Sequence, residues 1–305
     1  MIHPQFDIAL LRFLRARTDE RSILNAPPPA HSVPAGGPQR DRTSNAELAT
    51  RILCAARELA LGGPNGVPYG QLARSDRFAA YRVLTWELWR FDPSSLIGRN
   101  ERTAFWINLH NALVIDAVIN FWLRESVREV PGFFHRAAYQ IGGYRFALAD
   151  IEHGVLRGNR PLHPRLPSPF LAGDPRAALA LDIVDPRIHF ALNCGTRSCP
   201  PVAFYEAVQL DEQLDAAADA FINTEGVRDE HGEIVLSPLF EFYVEDFGGQ
   251  DRVIAWLLRY LTDPDLRRRV AGGTLRSASY DWSLNRDPRD LDAGTRAADH
   301  HQQAK

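Results

Sequence analysis

The amino-acid sequence predicts a helix-rich α+β fold, in which a single domain with a small β-sheet surrounds a central buried apolar helix. Several segments carry apolar residues at helical spacing, and one of them is apolar on nearly every side. Between them lie a few short apolar runs bounded by glycine or proline, a pattern typical of strands. With 305 residues, 45% of them hydrophobic, the chain can bury a core of this kind.

Four parts are predicted along the chain. Residues 1–24 form a short amphipathic helix, and residues 25–44, rich in proline and glycine, form a linker. The main domain covers residues 45–287. Residues 288–305 are polar and are predicted to be a disordered tail.

The main domain is predicted to begin with two helices. The first covers residues 45–61, with Ser44 as its N-cap, and a second helical pattern covers residues 76–91 and stops before Pro93. Cys54 falls on the apolar stripe of the first helix. We therefore expect Cys54 in the core.

Residues 103–123 predict the central helix. About five turns are apolar on nearly every side, a length that would also suit a membrane span. Five polar residues inside the segment argue against a span: Asn108, His110, Asn111, Asp116 and Asn120. A helix buried in the middle of a domain fits this composition better.

The C-terminal half alternates short strands with helices. Glycine and proline clusters separate the segments, and the apolar periodicity changes between them. Strands are predicted at 144–150, at 188–192 and at the start of 232–248, and helices at 150–157, 210–223 and 251–261.

Composition narrows the classes of partner. Lys and Arg total 35 and Asp and Glu total 38, a net charge of −3, which predicts neither a nucleic-acid nor a membrane partner. The N-terminus lacks the apolar core and cleavage site of a signal peptide, so a cytoplasmic location is predicted. Three cysteines are too few for a disulfide framework. No glycine-rich phosphate loop is present, and no cofactor is predicted.

The loop after the second predicted strand contains two of the three cysteines. Cys194 is a candidate nucleophile, because Arg197 can favour its thiolate and the backbone N–H groups of Gly195 and Thr196 can hold an oxyanion. Alternatively, Cys194 is a buried structural cysteine. A zinc site or a disulfide that also uses Cys199 are two further alternatives.

His153 is the candidate general base. Asp150 is predicted to cap the helix at 150–157, which places His153 in its first turn. The positive end of the helix dipole disfavours an imidazolium there, so the ring would stay neutral and could take a proton from a thiol. Glu152 either orients a partner or is solvated at the helix start. Alternatively, His153 is a structural histidine.

Two asparagines of the central helix are candidates for orienting the imidazole. Asn108 and Asn111 are three residues apart and therefore share a helix face. An Asn can be the third member of a Cys-His-Asn set. The alternative is that both amides satisfy backbone groups of a neighbouring segment. His110 is expected on another face, apart from this set.

Four separated segments resemble signature segments of the DUF547 family and occur in that family's order: "AFWINLHNALV", "DIEHGVLRGNRP", "DPRIHFALNCGTRSCPPV" and "YDWSLN". The resemblance extends over about residues 67–285. The family is a domain of unknown function, found in bacterial proteins and in plant proteins with an N-terminal coiled coil. The resemblance therefore identifies the domain but implies no activity.

The resemblance marks five positions as family-typical: Asn108, Asn111, His153, Arg157 and Cys194. His110 stands where the family usually has tyrosine. Cys199 is typical of bacterial relatives, whereas plant members tend to have serine, so a site that needs Cys199 would not be general to the family. Asp246 lies in a family-like segment, where we expect it to cap a helix or to form a polar wall of the site.

We predict a cysteine-dependent acyl-transfer enzyme, either a hydrolase or an amide-forming transferase. Cys194 would attack a carbonyl of a small-molecule or peptide substrate, with His153 as base and Asn111 or Asn108 orienting the imidazole. The second hypothesis is a non-catalytic module that binds a peptide or small ligand. The third is a small metal site formed by Cys194, Cys199 and a histidine, for which His163 and His189 are available. The oligomeric state is left open.

Overall fold

The computed structural model describes residues 23–27, 42–60, 66–163, 165–272 and 275–290. Most of the predicted helix at 1–24, and the predicted tail after residue 290, lie outside the described residues. The helices are α1 (Arg42–Ala60), α2 (Tyr69–Ala73), α3 (Asp76–Thr85), α4 (Arg99–Asn120), α5 (Phe133–Arg136), α6 (Leu210–Phe221), α7 (Leu239–Phe242), α8 (Gln250–Tyr260) and α9 (Pro264–Gly272). The strands are β1 (Ala138–Ile141), β2 (Tyr144–Ala147), β3 (Val227–Glu230), β4 (Glu233–Leu236) and β5 (Leu275–Ser277).

The predicted helix-rich α+β class is confirmed. Strands β1 and β2 form an antiparallel hairpin, in which Ala138 pairs with Ala147. Its turn consists of Gly142 and Gly143, whose φ angles of 56° and 86° favour glycine. A second sheet has the order β3-β4-β5, antiparallel between β3 and β4 and parallel between β4 and β5.

Helix α4 is the central buried helix. Every residue from Thr103 to Val118 is buried, because α1, α2 and the π-helical turn at Asp150–Leu156 pack around it. It begins at Arg99, earlier than predicted, because the Glu101 carboxylate accepts hydrogen bonds from the N–H groups of Ile97 and Gly98 at 3.1 and 3.4 Å. Among the described helices, none combines the length and the apolar character that a membrane span requires.

Two hydrophobic clusters form the interior. The first surrounds α4 and takes residues from α1, α3 and the β1–β2 hairpin. The second is built from the C-terminal elements, around Phe240, Phe247 and Leu257. Phe190 belongs to the second cluster and Leu192 to the first, so the short segment between them lies where the two clusters meet. The candidate site is at this junction.

The predicted strand at 188–192 is wrong. The chain forms a 3₁₀-helical turn over Pro186–Phe190 instead. Asp185 accepts a hydrogen bond from the N–H of Arg187 at 3.0 Å, and a proline in the first turn suits the start of a helix. A run of five apolar residues fits a buried strand or a buried helical turn equally well.

The predicted cap of the next helical element is also wrong. Asp150 is the first residue of a π-helical turn, Asp150–Leu156, and its carboxylate accepts from the N–H of Ala147 behind it at 3.0 Å. The wide turn is defined by the i→i+5 hydrogen bond from the N–H of Arg157 to the carbonyl of Glu152, 2.8 Å long.

Three further predictions need correction: the N-cap of α1, the burial of Cys54 and the linker assignment of Asn25. Helix α1 begins at Arg42, so Ser44 lies in its first turn, and Cys54 is exposed rather than in the core. Asn25, placed in the linker, is fully buried and donates to the carbonyls of Thr85 and Gln140.

The main domain also extends past its predicted end. Asp290 is buried and accepts from the N–H groups of Gly70 and Gln71 at 2.7 and 3.0 Å.

Candidate functional site

The loop at 193–200 carries a disulfide between Cys194 and Cys199. The two Cα atoms are 6.1 Å apart, within the usual range for this bond. Both residues are partly exposed. The disulfide was one of the alternatives open at the sequence level, and its presence means that Cys194 can act as a nucleophile only in the reduced protein.

Asparagine side chains hold this loop in place. Asn111 of α4 donates to the carbonyl of Ala191 at 3.0 Å and accepts from the N–H of Asn193 at 2.9 Å. The Asn193 side chain in turn donates to the carbonyl of Pro200 and accepts from the N–H of Gly195, at 2.6 and 2.8 Å. Both asparagines are buried, so the loop has a fixed conformation relative to α4.

Two hydroxyl groups lie against the disulfide. The Tyr280 hydroxyl is 3.0 Å from the sulfur of Cys194 and 3.1 Å from that of Cys199. The Thr196 hydroxyl is 3.1 Å from the Cys194 sulfur and 2.9 Å from the Tyr280 hydroxyl. The Tyr280 ring is itself packed against Phe242 and Trp282. Burial, above all, raises the pKa of Tyr280 to about 12, so its hydroxyl keeps its proton at neutral pH.

The buried carboxylate of Asp246 organises a cluster of ionisable side chains. This carboxylate accepts from Arg157 at 2.5 Å, from Arg160 at 3.1 Å and from the Nε2 of His189 at 2.8 Å. Although burial opposes ionisation, the hydrogen bonds from His189 and Arg157 hold the pKa of Asp246 below its usual range. Asp246 is therefore a buried anion shared by three partners, a larger role than the predicted helix cap or site wall.

Glu152 links this cluster to the disulfide. Its carboxylate accepts from the Tyr243 hydroxyl at 2.6 Å. Burial opposes its ionisation, but the nearby His153 and His110 lower the pKa of Glu152 to about 2. The same negative charge contributes to the raised pKa of Tyr280, whose hydroxyl touches the Cys194 sulfur. The charge of Glu152 therefore acts on the hydroxyl group that contacts the Cys194 sulfur.

The hydrogen bonding of His153 fixes its tautomer. Its Nδ1 lies 3.1 Å from the guanidinium of Arg157, which can only donate, so Nδ1 is the acceptor and Nε2 carries the hydrogen of the neutral ring. Burial lowers the pKa of His153 to about 4. The prediction that His153 is neutral therefore agrees with its environment, but the cause is burial, and Arg157 occupies the nitrogen that would serve as the base.

Two further histidines have a nitrogen without a hydrogen-bond partner among the described residues. In His110, Nδ1 contacts the amide oxygen of Asn111 at 3.4 Å and Nε2 is unpartnered. In His189, Nε2 donates to Asp246 and Nδ1 is unpartnered, while the ring stacks on Tyr243 at 3.7 Å. Burial lowers the pKa of both rings, so both are neutral hydrogen-bond acceptors at these atoms.

Several predicted roles do not agree with this geometry. Asn108 pairs with the backbone of Tyr205, donating at 2.7 Å and accepting at 2.9 Å, and so supports a neighbouring segment rather than an imidazole. The N–H of Gly195 is used by Asn193 and is not free to hold an oxyanion. Arg197 is exposed, and its charge acts on Asp281.

The structure adds residues that the sequence argument missed or set aside. These are His110, His189, Tyr243 and Tyr280, together with the structural Asn193. Tyr280 was within reach of the sequence, because it opens the family-like segment "YDWSLN". His189 lies inside an apolar run, and the residues around it in the sequence do not indicate that it pairs with a buried carboxylate.

The family comparison agrees with the resemblance. Residues 93–222 match the family described as "Protein of unknown function, DUF547". This part of the chain matches the DUF547 family. The matched residues include the central helix, the π-helical turn with His153, and the disulfide loop, whereas Asp246 and Tyr280 lie after them. No curated protein and no solved structure matched the chain.

The metal hypothesis receives no support from the described residues. Within them, no three His, Cys, Asp or Glu side chains are grouped so that they could hold a metal ion. Both loop sulfurs are bonded to each other, and Nε2 of His189 is bonded to Asp246. The His163 imidazole accepts from the N–H of Arg165 at 3.2 Å, on a loop of its own.

Proposed function

We propose that this DUF547 domain is a thiol-dependent acyl-transfer enzyme, active when the disulfide is reduced, with Cys194 as the nucleophile. The observation that carries the proposal is the position of the Cys194 sulfur. It is partly exposed, it is contacted by the hydroxyl groups of Thr196 and Tyr280, and the charge of Glu152 acts on that tyrosine. Hydrogen bonds from Tyr280 and Thr196 to a Cys194 thiolate would lower the pKa of the thiol.

The roles of the other residues follow from their hydrogen bonding. The thiolate attacks the carbonyl carbon, and the electron pair of the C=O bond moves to its oxygen. His153 serves as a neutral donor to this oxyanion through its Nε2–H, because Arg157 holds its Nδ1 as an acceptor. The departing group takes a proton from the Tyr280 hydroxyl. Water or an amine then returns that proton to Tyr280 as it attacks the thioester, which restores the thiolate.

The acceptor decides the reaction: attack by water gives hydrolysis, and attack by an amine gives an amide. Hydrolase and amide-forming transferase are therefore two outcomes of one site. The cytoplasmic location that we predict from the sequence is part of the proposal, because such a compartment keeps thiols reduced and Cys194 free.

The test uses the C54S/C199S variant, in which Cys194 is free without any reductant. With p-nitrophenyl acetate we expect a burst of one p-nitrophenol per protein and an acetyl group on Cys194 by peptide mass spectrometry. The matched control is C194S/C199S, which keeps Cys54, an exposed thiol on the surface of α1. We expect Cys194 to react roughly 10²-fold faster than Cys54, the usual lower range for a catalytic group.

Two variants test the assigned roles. H153Q should slow acylation, and Y280F should both slow it and raise the pKa seen in the pH dependence of alkylation. If Cys194 reacts no faster than Cys54, the acyl-transfer proposal is refuted, and the non-catalytic binding module becomes the better account of the domain.

A further inference from the structure

Hydrogen-bond donors surround both sulfurs of the disulfide. The N–H of Cys194 donates to the Cys199 sulfur at 3.0 Å, and the Tyr280 hydroxyl contacts both sulfurs. The Thr196 hydroxyl contacts the Cys194 sulfur. A disulfide sulfur is a weak acceptor, whereas a thiolate is a strong one. These donors therefore stabilise the reduced pair more than the oxidised pair, which is the condition for a readily reducible disulfide.

The loop does not depend on the bond for its conformation. Besides the asparagine contacts described above, the C-terminal segment pairs with it: Arg197 N–H donates to the Ser283 carbonyl at 2.9 Å, and Asn285 N–H donates to the Gly195 carbonyl at 3.0 Å. The disulfide also closes a loop of only five residues in sequence separation, which constrains the unfolded chain less than a bond across a long loop would. A purely structural role would gain less from a bond at this place than from one between distant segments.

From these contacts we infer a second activity: Cys194 and Cys199 are a redox-active pair that exchanges with a dithiol reductant, either a small dithiol or a reducing protein with two cysteines. A thiolate of the reductant attacks the Cys194 sulfur and forms a mixed disulfide. The Cys194–Cys199 bond breaks, and its electron pair leaves with Cys199.

The leaving Cys199 thiolate accepts from the Cys194 N–H and from Tyr280. The second thiolate of the reductant then attacks its own partner sulfur in the mixed disulfide and releases Cys194. In sum the reductant becomes a disulfide, and the protein gains two electrons and two protons. This activity needs no acyl substrate and stands apart from the proposed acyl transfer.

The experiment is an equilibration of folded C54S protein in glutathione buffers of increasing ratio, with the free thiols counted by a maleimide gel shift and the fold monitored by circular dichroism. We expect full reduction without unfolding. In Y280F the equilibrium should shift toward the disulfide by roughly tenfold, or about 30 mV. Y260F is the matched control, since the Tyr260 hydroxyl is bonded to Asp215 and not to either sulfur; it should leave the equilibrium unchanged.

A trapping experiment tests the order of attack. C54S/C199S should retain a stable mixed disulfide with a monothiol on Cys194, because the resolving sulfur is missing, whereas C54S protein should resolve it. If the pair in folded C54S resists excess dithiothreitol and is reduced only in urea, the disulfide is structural and the inference is overturned. An unchanged equilibrium in Y280F would overturn the role of Tyr280. The acyl-transfer test uses a variant without the disulfide, so the two proposals can fail separately.

Discussion

Replacing Asp246 by asparagine should destabilise the protein strongly. The Asp246 side chain is fully buried, and the side chain of its partner Arg157 is only 3% exposed. D246N keeps the shape of the side chain but removes the negative charge that accepts hydrogen bonds from two buried donors, Arg157 and His189. Breaking a buried pair from one side costs about 3–5 kcal/mol, because the other charge stays buried without compensation.

The assay is urea unfolding at pH 7, followed by circular dichroism, with the free energy of unfolding extrapolated to water. D229N is the matched control, because Asp229 forms a half-exposed pair with Arg269 at the surface. Solvent screens such surface pairs, so D229N should be nearly neutral.

A double variant tests whether the lost stability of D246N comes from the uncompensated charge on Arg157 or from poorer packing. In D246N/R157M the uncompensated guanidinium is gone, and we expect part of the stability to return, since buried ion pairs are often replaceable by apolar side chains. The reasoning is refuted if D246N costs less than D229N. It is also refuted if R157M gives no recovery in the D246N background, because the cost would then not arise from an uncompensated charge on Arg157.

Three further predictions concern the pH dependence of stability, the hydrogen bonds from Asn111 to the disulfide loop, and the backbone at Gly195. The pKa of His153 is about 4 in the folded protein and about 6.5 in the unfolded chain. Up to about 3 kcal/mol of stability, fully present above pH 6.5, should therefore be lost as the pH falls to 4. The free energy of unfolding measured against pH should fall less in H153Q. N111A should leave two buried backbone groups of the loop unpaired and cost roughly 2–4 kcal/mol in thermal unfolding, while N100A, at an exposed asparagine in the first turn of α4, should cost under about 1. G195A should destabilise by about 1–3 kcal/mol in urea unfolding, because its φ of 81° is strained for alanine and the added Cβ would lie 3.1 Å from Val114, whereas G143A, with φ 86° and open space around it, should cost only the strain.

The parts of the fold that were predictable are those whose signal is local. The central helix could be recognised because its apolar segment is too long for a strand, and the polar residues inside it argue against a membrane span. The class followed from the same periodicity. The run at 188–192 was misassigned because its apolar character reports burial and not backbone conformation. Cys54 was misplaced because helix α1 exposes one edge of its apolar stripe.

The candidate site was only partly predictable, because its contacts are long-range. Cys194, His153 and Glu152 were selected as candidates from the sequence, but the partners of His153 and Glu152 were not predicted. The disulfide was one of several pairings that the spacing of Cys194 and Cys199 allows. The Tyr280 contact joins residues 86 positions apart, and the His189–Asp246 contact joins residues 57 apart. No local pattern in the sequence encodes such distances, and only the packing of the two hydrophobic clusters brings these side chains together.

The family match covers only part of the residues that meet at the candidate site. The match ends at residue 222, yet the buried anion that compensates Arg157 is Asp246, and the hydroxyl on the Cys194 sulfur belongs to Tyr280. Arg157 and Cys194 lie inside the matched segment and would be left, without the C-terminal elements, as a buried uncompensated charge and an exposed cysteine loop. The family segment therefore contributes the Cys194 sulfur and the His153 imidazole, and the C-terminal elements contribute Asp246 and Tyr280, which contact Arg157 and the Cys194 sulfur. If the proposed acyl transfer is correct, its site requires both hydrophobic clusters and not the family segment alone.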